Sequence, residues 1–405
     1  MFGQVYYGWW IVIACFFMNL YVGSIVFFSF TAFFEPIQRE FGWSYTQISL
    51  ASSLRGLEMG IFAPIVGVLV DRLGSRRLLL FGSIIIGLGL FTLSLTQSLP
   101  MFYASFVLIA FGAGGCTSVV TMTAVANWFH KNIGLALGIA ASGFGASGLL
   151  IPLIVALIDK LGWRITLVLL ALGMLIIGIP LSLVVRNRSG SSLEDSASYK
   201  KDEWMEEPVE VPLGEAIKSK PFIFLNVAET IRMMAVTAVV VHLMPYLATL
   251  GFHRSTGGIV AAALPLVSIL GRFGFGWWGD RHDKRVVLAA TFLILGGGLL
   301  VFSKVGEMKM VVLFLLLFSP GFGGSMVVRG AILREYFGKA SFGKMLGIVL
   351  GSASIGGILG PTLAGYAFDR FGSYTMVWQL MSAVSMMAVV LALRMKPSQS
   401  RGRFS

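Results

Sequence analysis

Twelve apolar stretches, each long enough to cross the roughly 30 Å hydrocarbon core of a bilayer as a helix, divide this chain into two sets of six. The first set covers approximately residues 7–28, 46–70, 78–95, 102–126, 135–157 and 165–185, and the second 222–247, 259–279, 286–302, 311–333, 346–368 and 375–393. Hydrocarbon offers no water to backbone N–H and C=O groups, so each stretch must satisfy its own by coiling into an α-helix. The expectation is an all-α membrane protein of twelve transmembrane helices in two pseudo-symmetric six-helix bundles. Composition agrees, since 56% of the 405 residues are hydrophobic and only 12% charged, more apolar surface than a water-soluble fold can hide. Between the sets lies a Ser-rich, charged stretch that reads as a linker. The expected organisation is an N-terminal bundle over 1–185, a cytoplasmic linker over 186–220, and a C-terminal bundle with a cytoplasmic tail over 221–405. The opening MFGQVYYGWW has no basic segment followed by a cleavage site, so the first apolar run is expected to be retained as a span.

The two sets repeat each other at one constant offset. Gly276, Asp280 and Arg281 each lie 209 residues after Gly67, Asp71 and Arg72, and the same interval relates Gly347 to Gly138 and Pro361 to Pro152. A single interval holding in separate regions implies two parallel repeats of one six-helix unit. Lysine and arginine then set the orientation. With both termini and the linker on one side, that side carries 20 basic residues and the other seven. By the positive-inside rule both termini are cytoplasmic. The net charge of +12 has the same origin, because the basic residues stand singly or in twos in short loops and form no nucleic-acid-binding patch.

Charges at membrane depth are costly and rarely idle. Arg272 stands eight residues before Asp280, about 12 Å below the boundary at 1.5 Å per residue. No carboxylate lies three or four residues away on its own helix. Arg55 with Glu58, and Glu229 with Arg232, are spaced i to i+3, so each pair can neutralise itself. Two readings of these pairs stay open: local structural ion pairs, or proton carriers, since Glu58 and Glu229 are the carboxylates at membrane depth. Arg329, near the end of the tenth run, reads as snorkelling to the inner mouth. Tyr21, Phe28 and Tyr246 are aromatic candidates for the wall of a cavity, and Asn127 and His242 are polar ones. The four histidines are dispersed and Cys15 and Cys116 fall inside apolar runs, so no metal site, disulfide, cofactor or catalytic constellation is expected, and the chain does not read as an enzyme.

The segment Gly67-x-x-x-Asp71-Arg72-x-Gly74-x-Arg76-Arg77, echoed by Gly276-x-x-x-Asp280-Arg281-x-x-Lys284-Arg285, resembles the most specific motif of the major facilitator superfamily. The resemblance covers the chain apart from linker and tail and implies alternating access between two bundles. Gly67 and Gly276 let helices approach, while Asp71, Arg72, Arg76, Asp280 and Arg281 are candidate gating residues, the carboxylate pairing or capping a helix in one state and releasing it in the other. The fifth-span run Trp128-Phe129-His130-Lys131-Asn132-Ile133-Gly134-Leu135-Ala136-Leu137-Gly138, with Gly8 and Trp10 in the first span, resembles the monocarboxylate transporter family. It departs from that family at Asn132 and Tyr7. That family carries an eighth-span arginine that binds the substrate carboxylate, matched by Arg272, and an aspartate four residues earlier, where this chain has Ser268. Phe28 stands where mammalian relatives carry a lysine. The Leu-Gly-Arg run and His242-Leu243-Met244-Pro245-Tyr246 also resemble bacterial oxalate/formate exchangers, which use a further lysine in the eleventh span; residues 346–368 contain no cation. A dianion wants two positive partners and a monocarboxylate one. The resemblance thus implies a bacterial inner-membrane carrier of a small monocarboxylate such as lactate or pyruvate together with a proton, functional as a monomer, with organic anion exchange as the alternative.

Overall fold

The computed structural model describes residues 6–54, 56, 60, 66, 69–70, 72–116, 118–129, 133–186, 213–337 and 342–395. These residues are helical apart from short connections, with no strand among them. Helical runs of spanning length and apolarity are α1 (Tyr7–Phe41), α3 (Ser75–Ser94), α5 (Leu135–Leu161), α6 (Trp163–Val184), α7 (Lys220–Thr249), α8 (Arg254–Gly279), α9 (Lys284–Phe302), α10 (Met308–Phe337), α11 (Lys344–Phe371) and α12 (Thr375–Arg394). The fourth expected span is α4 (Leu99–Gly114), followed by a second segment Ser118–Ala126. Of the second span, α2 (Tyr45–Ser53) is described continuously. Most of the linker, 187–212, lies outside the described residues, and a short helix, Leu213–Lys218, precedes α7.

Local chemistry marks the helix starts. Ser44 and Gln47 form a reciprocal capping box at the N-terminus of α2. Ser219 caps α7 from just before Pro221, whose missing N–H costs nothing in a first turn. Asp283 caps α9, and the Arg285 side chain bonded to it holds its carboxyl below the usual carboxylate range. Inside α5 the helix tightens to a 3₁₀ turn at Ser147–Leu150, just before Pro152 removes a backbone donor. Facing it, α1 carries a π turn at Gly23–Phe28, and Ser24 Oγ donates across to the Ser147 carbonyl.

Two ends of the molecule are stitched separately. At the linker end, Tyr7 Oη donates to the Val184 carbonyl (2.7 Å) and Trp128 Nε1 to that of Arg186 (2.9 Å), while Lys284 pairs with Glu335. At the far end, Arg164 donates to Glu40 and to the carbonyls of Ser94 and Thr96. There the C-terminal half uses aromatic packing instead, with Tyr246, Phe302 and Trp378 in contact. The larger apolar core runs through the N-terminal half and across into the far end of the C-terminal half, joining Ile11, Phe34 and Phe106 to Tyr246, Phe302 and Trp378. The smaller core, with Phe222, Phe292, Ile332 and Phe337, belongs to the linker end of the C-terminal half. The halves are therefore fused by apolar packing at the far end.

The repeat extends to backbone conformation. Gly42 and Gly251, 209 residues apart, follow α1 and α7 with φ of 65° and 81°. This left-handed region costs residues with a Cβ about 1–2 kcal/mol. Gly42→Ala or Gly251→Ala is expected to lower the thermal unfolding midpoint in detergent by a shift equivalent to about 1–2 kcal/mol. Gly138→Ala, where an added Cβ meets no atom within 4 Å, should leave it unchanged or raise it.

Candidate functional site

Two antiparallel helix pairs join the halves, and their rungs can be followed residue by residue. In the α2–α11 pair, the Tyr45 and Thr46 amides donate to Asp369 (2.9 and 2.8 Å). Ser49 then packs on Gly365, Ser53 Oγ lies 2.9 Å from Thr362 Oγ1, and Gly56 and Gly60 pack on Ile358 and Ser354. In the α5–α8 pair, Asp159 accepts from Arg254 Nε (2.6 Å), Val155 packs on Gly258, Gly148 on Ala262 and Gly145 on Ile269. The next rung is Ala141 with Arg272. Steps of about one or two helical turns along one helix are matched by steps backward along its partner, as close antiparallel packing requires. Beyond these rungs toward the linker end the α5–α8 pair parts, and a Cβ at Gly138 meets no atom of the described residues within 4 Å.

Arg272 thus stands where α8 leaves α5. Nη1 donates to the Ala141 carbonyl across the interface at a long 3.5 Å. Nε and Nη2 are buried and have no hydrogen-bond partner among the described residues. Gly323 of α10 makes room for the side chain, since a Cβ there would lie 3.2 Å from Arg272 Cγ. Ser268, one turn earlier, donates its hydroxyl to the Pro265 carbonyl of its own helix (2.6 Å) and so is not a partner. A buried cation with unmet donors is expensive. A planar carboxylate meets two guanidinium N–H groups at once, the strong pairing such a group favours.

The other expected site residues are dispersed. Phe28 is the one that approaches this region: it packs on Phe27 and on Phe144, three residues along α5 from Ala141. Tyr21 is a joint within the N-terminal half, its hydroxyl donating to the Leu170 carbonyl of α6 (3.0 Å). Tyr246 does the same in the C-terminal half, donating to Phe302 at the far end (2.7 Å). Neither hydroxyl meets Arg272, because each is held by a neighbouring helix. His242 is fully buried at the far end, with Nδ1 2.9 Å from Tyr374 Oη and Nε2 2.9 Å from both Ser49 Oγ and the Pro361 carbonyl. Asn127 is exposed just after the Ser118–Ala126 segment. Asn19, not singled out from the sequence, donates to the Ala140 carbonyl (2.9 Å), holding α1 to α5 next to Ala141. A lone amide in an apolar run was its available signal.

Glu229 lies in a buried triad. One oxygen, Oε2, accepts from Arg232 Nε (3.0 Å) and Nη2 (2.8 Å) and from Arg329 Nη1 (2.7 Å), while Oε1 is buried with no partner among the described residues. Arg329 is 7% exposed, so it is a member of this triad and does not snorkel to the mouth as expected. Glu58, Gly67 and Asp71 lie outside the described residues. Arg72 and Arg76 are exposed. Gly276 faces Val327 of its own half, Asp280 is exposed, and Arg281 lies over the Trp277 ring at 4.2 Å. Among the described residues Gly276, Asp280 and Arg281 do not bridge the halves.

The profile of the Major Facilitator Superfamily matches residues 9–252 and 227–405, and the chain belongs to that superfamily. It is a multi-pass membrane transporter of that fold. Within the superfamily it is monocarboxylate-transporter-like. Monocarboxylate transporter 13 of Bos taurus is 28% identical over 377 residues, covering 91% of this chain and 84% of the relative. Monocarboxylate transporter 2 of Homo sapiens is 25% identical over 411 residues, covering 95% and 85%. Among solved structures, a bacterial homolog of the human lysosomal transporter Spinster matches in two inward-facing forms. The occupied one has a TM-score of 0.75 at 15% identity, covering 97% of each chain. The unoccupied one has 0.72 at 14%, covering 97% of this chain and 95% of that one.

The triad makes a graded prediction for thermal unfolding in detergent. Glu229→Gln strands two buried guanidinium groups and is expected to cost about 3–5 kcal/mol, the usual penalty for removing one partner of a buried pair. Arg329→Gln leaves a neutral Glu229–Arg232 pair and should cost clearly less. The double variant should recover part of the Glu229→Gln loss.

Proposed function

We propose that the chain carries small monocarboxylates such as lactate or pyruvate by alternating access, with a proton crossing alongside. The observation that carries this reading is the Arg272 guanidinium, with Nε and Nη2 unpartnered at the rung where the two halves part. A carboxylate arriving between the parted ends meets the unpaired charge at the apex of the opening. Its binding replaces a long, poor contact to a backbone carbonyl with two charge-assisted ones, which lowers the cost of closing the linker end around it. The relatives named monocarboxylate transporters support the substrate class.

With the termini in the cytoplasm, a placement the distribution of basic residues supports, the protein stands in the plasma membrane of a bacterial cell with its linker end facing inward. The conformation is then inward-open, in keeping with the inward-facing Spinster homolog structures. One copy contains both halves of the site and acts alone. The candidate proton carriers are Glu58 and Glu229, and in Glu229 the acceptor is Oε1, the oxygen that neither arginine engages. The gating role of Gly67, Asp71, Arg72, Arg76, Gly276, Asp280 and Arg281 belongs to the opposite state, in which the linker ends meet.

Arg272→Ala is expected to reduce uptake of labelled lactate into proteoliposomes at least about thirtyfold, since removing one member of a buried charge pair costs 2 kcal/mol or more in binding. The same variant should unfold at an equal or higher temperature than the unmodified protein, because it removes an unsatisfied buried charge. Undiminished uptake would eliminate Arg272 as the anion site. An inward-directed proton gradient, imposed on vesicles without internal anion, should drive accumulation. A strict requirement for internal anion would replace symport by exchange.

A further inference from the structure

Two charged contacts across the far end occupy equivalent places in the two repeats. Tyr45, at the start of α2, and Arg254, at the start of α8, are 209 residues apart. Each is met by an aspartate at the far end of the helix it pairs with in the other half, Asp369 on α11 and Asp159 on α5. The chemistry of the two contacts differs. Asp369 is a helix cap supplied from the opposite half: it accepts from the amides of Tyr45 and Thr46 and from Thr46 Oγ1. Ser44 serves the next free amide, that of Gln47. The first turn of α2 is thus satisfied only while the C-terminal half is in place, and its dipole favours the negative charge there. Arg254 is a forked clamp, donating through Nε to Asp159 (2.6 Å), through Nη1 to Glu35 (3.5 Å) and through Nη2 to the Ala32 carbonyl. All three acceptors belong to the N-terminal half.

We propose that these two unlike latches, the Asp369 cap and the Arg254 clamp, hold the far end shut and set the balance between the far-open and linker-open forms. The rungs between them and the middle of the membrane are glycines, small hydroxyls and aliphatic groups, which separate without exposing a charge. The latches are the places where opening strips charged groups of their partners. At the linker end Asp280 and Arg281 make no such contact across the halves among the described residues. The inference rests on the alternating-access reading and not on the identity of the substrate.

The test is thiol labelling of the full chain in proteoliposomes, after replacing Cys15 and Cys116, which are both buried, by serine. A reporter at Ser53→Cys, on an inner rung of the α2–α11 pair, reads the far end. A second reporter at Gly351→Cys, where an added Cβ meets no atom of the described residues within 4 Å, reads the linker end. With a membrane-impermeant maleimide reaching both faces, Asp369→Asn or Arg254→Gln should speed labelling at Ser53→Cys by about tenfold, the response to loss of a charge-assisted contact. Labelling at Gly351→Cys should slow in the same variants. Reciprocal change is the expected result. Unchanged rates at both reporters would overturn the proposal, as would acceleration at both, which signals loosened packing and not a shift between two forms. No substrate enters this assay, so failure of Arg272→Ala to reduce lactate uptake leaves the latches untouched, and the converse also holds.

Discussion

An arginine inside hydrocarbon keeps its charge, because its guanidinium is too basic to be neutralised by losing a proton. It must find a carboxylate, a set of carbonyls or a way out to water. Among the described residues Arg272 has one distant carbonyl, and two of its nitrogens have no partner; the rest of the architecture follows from where that deficit sits. Placed within a single bundle, such a group would be a standing instability. Placed at the last rung between two bundles, it makes the relative position of those bundles depend on what occupies the guanidinium. Packing across the rungs above it is close, with glycines at Gly145 and Gly148 admitting α8 against α5. The site is therefore held on one side by rigid contact and free on the other.

The same half shows how arginine is buried when no ligand is wanted. Arg232 and Arg329 share one oxygen of Glu229, and all three side chains are nearly or wholly inaccessible. The triad retains a net positive charge, yet each cation has a short contact to an anion. Arg232 sits one helical turn from its partner, and Arg329 is brought to it by α10. Comparing the two arrangements separates a paired from an unpaired charge more sharply than burial alone. Arg272 is partly exposed while Arg232 is 2% exposed, but the decisive difference is that, among the described residues, Glu229 has no counterpart beside Arg272.

Much of this was legible in the sequence wherever the signal was carried along one helix. The apolar runs, the constant interval between repeats and the lack of a carboxylate one turn from Arg272 are properties of a single strand of text. So was the Glu229–Arg232 pairing. Contacts between helices were not, because periodicity identifies a face and leaves open which neighbour covers it and in what register. Arg329 read as an arginine near a helix end, whereas it reaches across to Glu229, 100 residues away. Tyr21 and Tyr246 read as cavity-lining aromatics for the same reason. Their hydroxyls are committed to carbonyls of α6 and of the α9 end, and nothing in their own helices encodes that. Asp369 was not singled out from the sequence, since its role depends on the first turn of α2 in the other half.

Position 268 shows how one side chain can move a coupling step elsewhere. An aspartate there would lie one turn from Arg272 on the same face and would neutralise it. An incoming carboxylate would then bring a second negative charge to one positive one, and a proton would be needed at the site to relieve the excess. With serine in its place, and its hydroxyl bound to Pro265, the anion alone balances the guanidinium. Anion binding at Arg272, as proposed, would therefore require no proton at that position. In the proposed symport the proton would be held on another carboxylate, and the strength of coupling would depend on how far that carboxylate's surroundings change as the two halves rock.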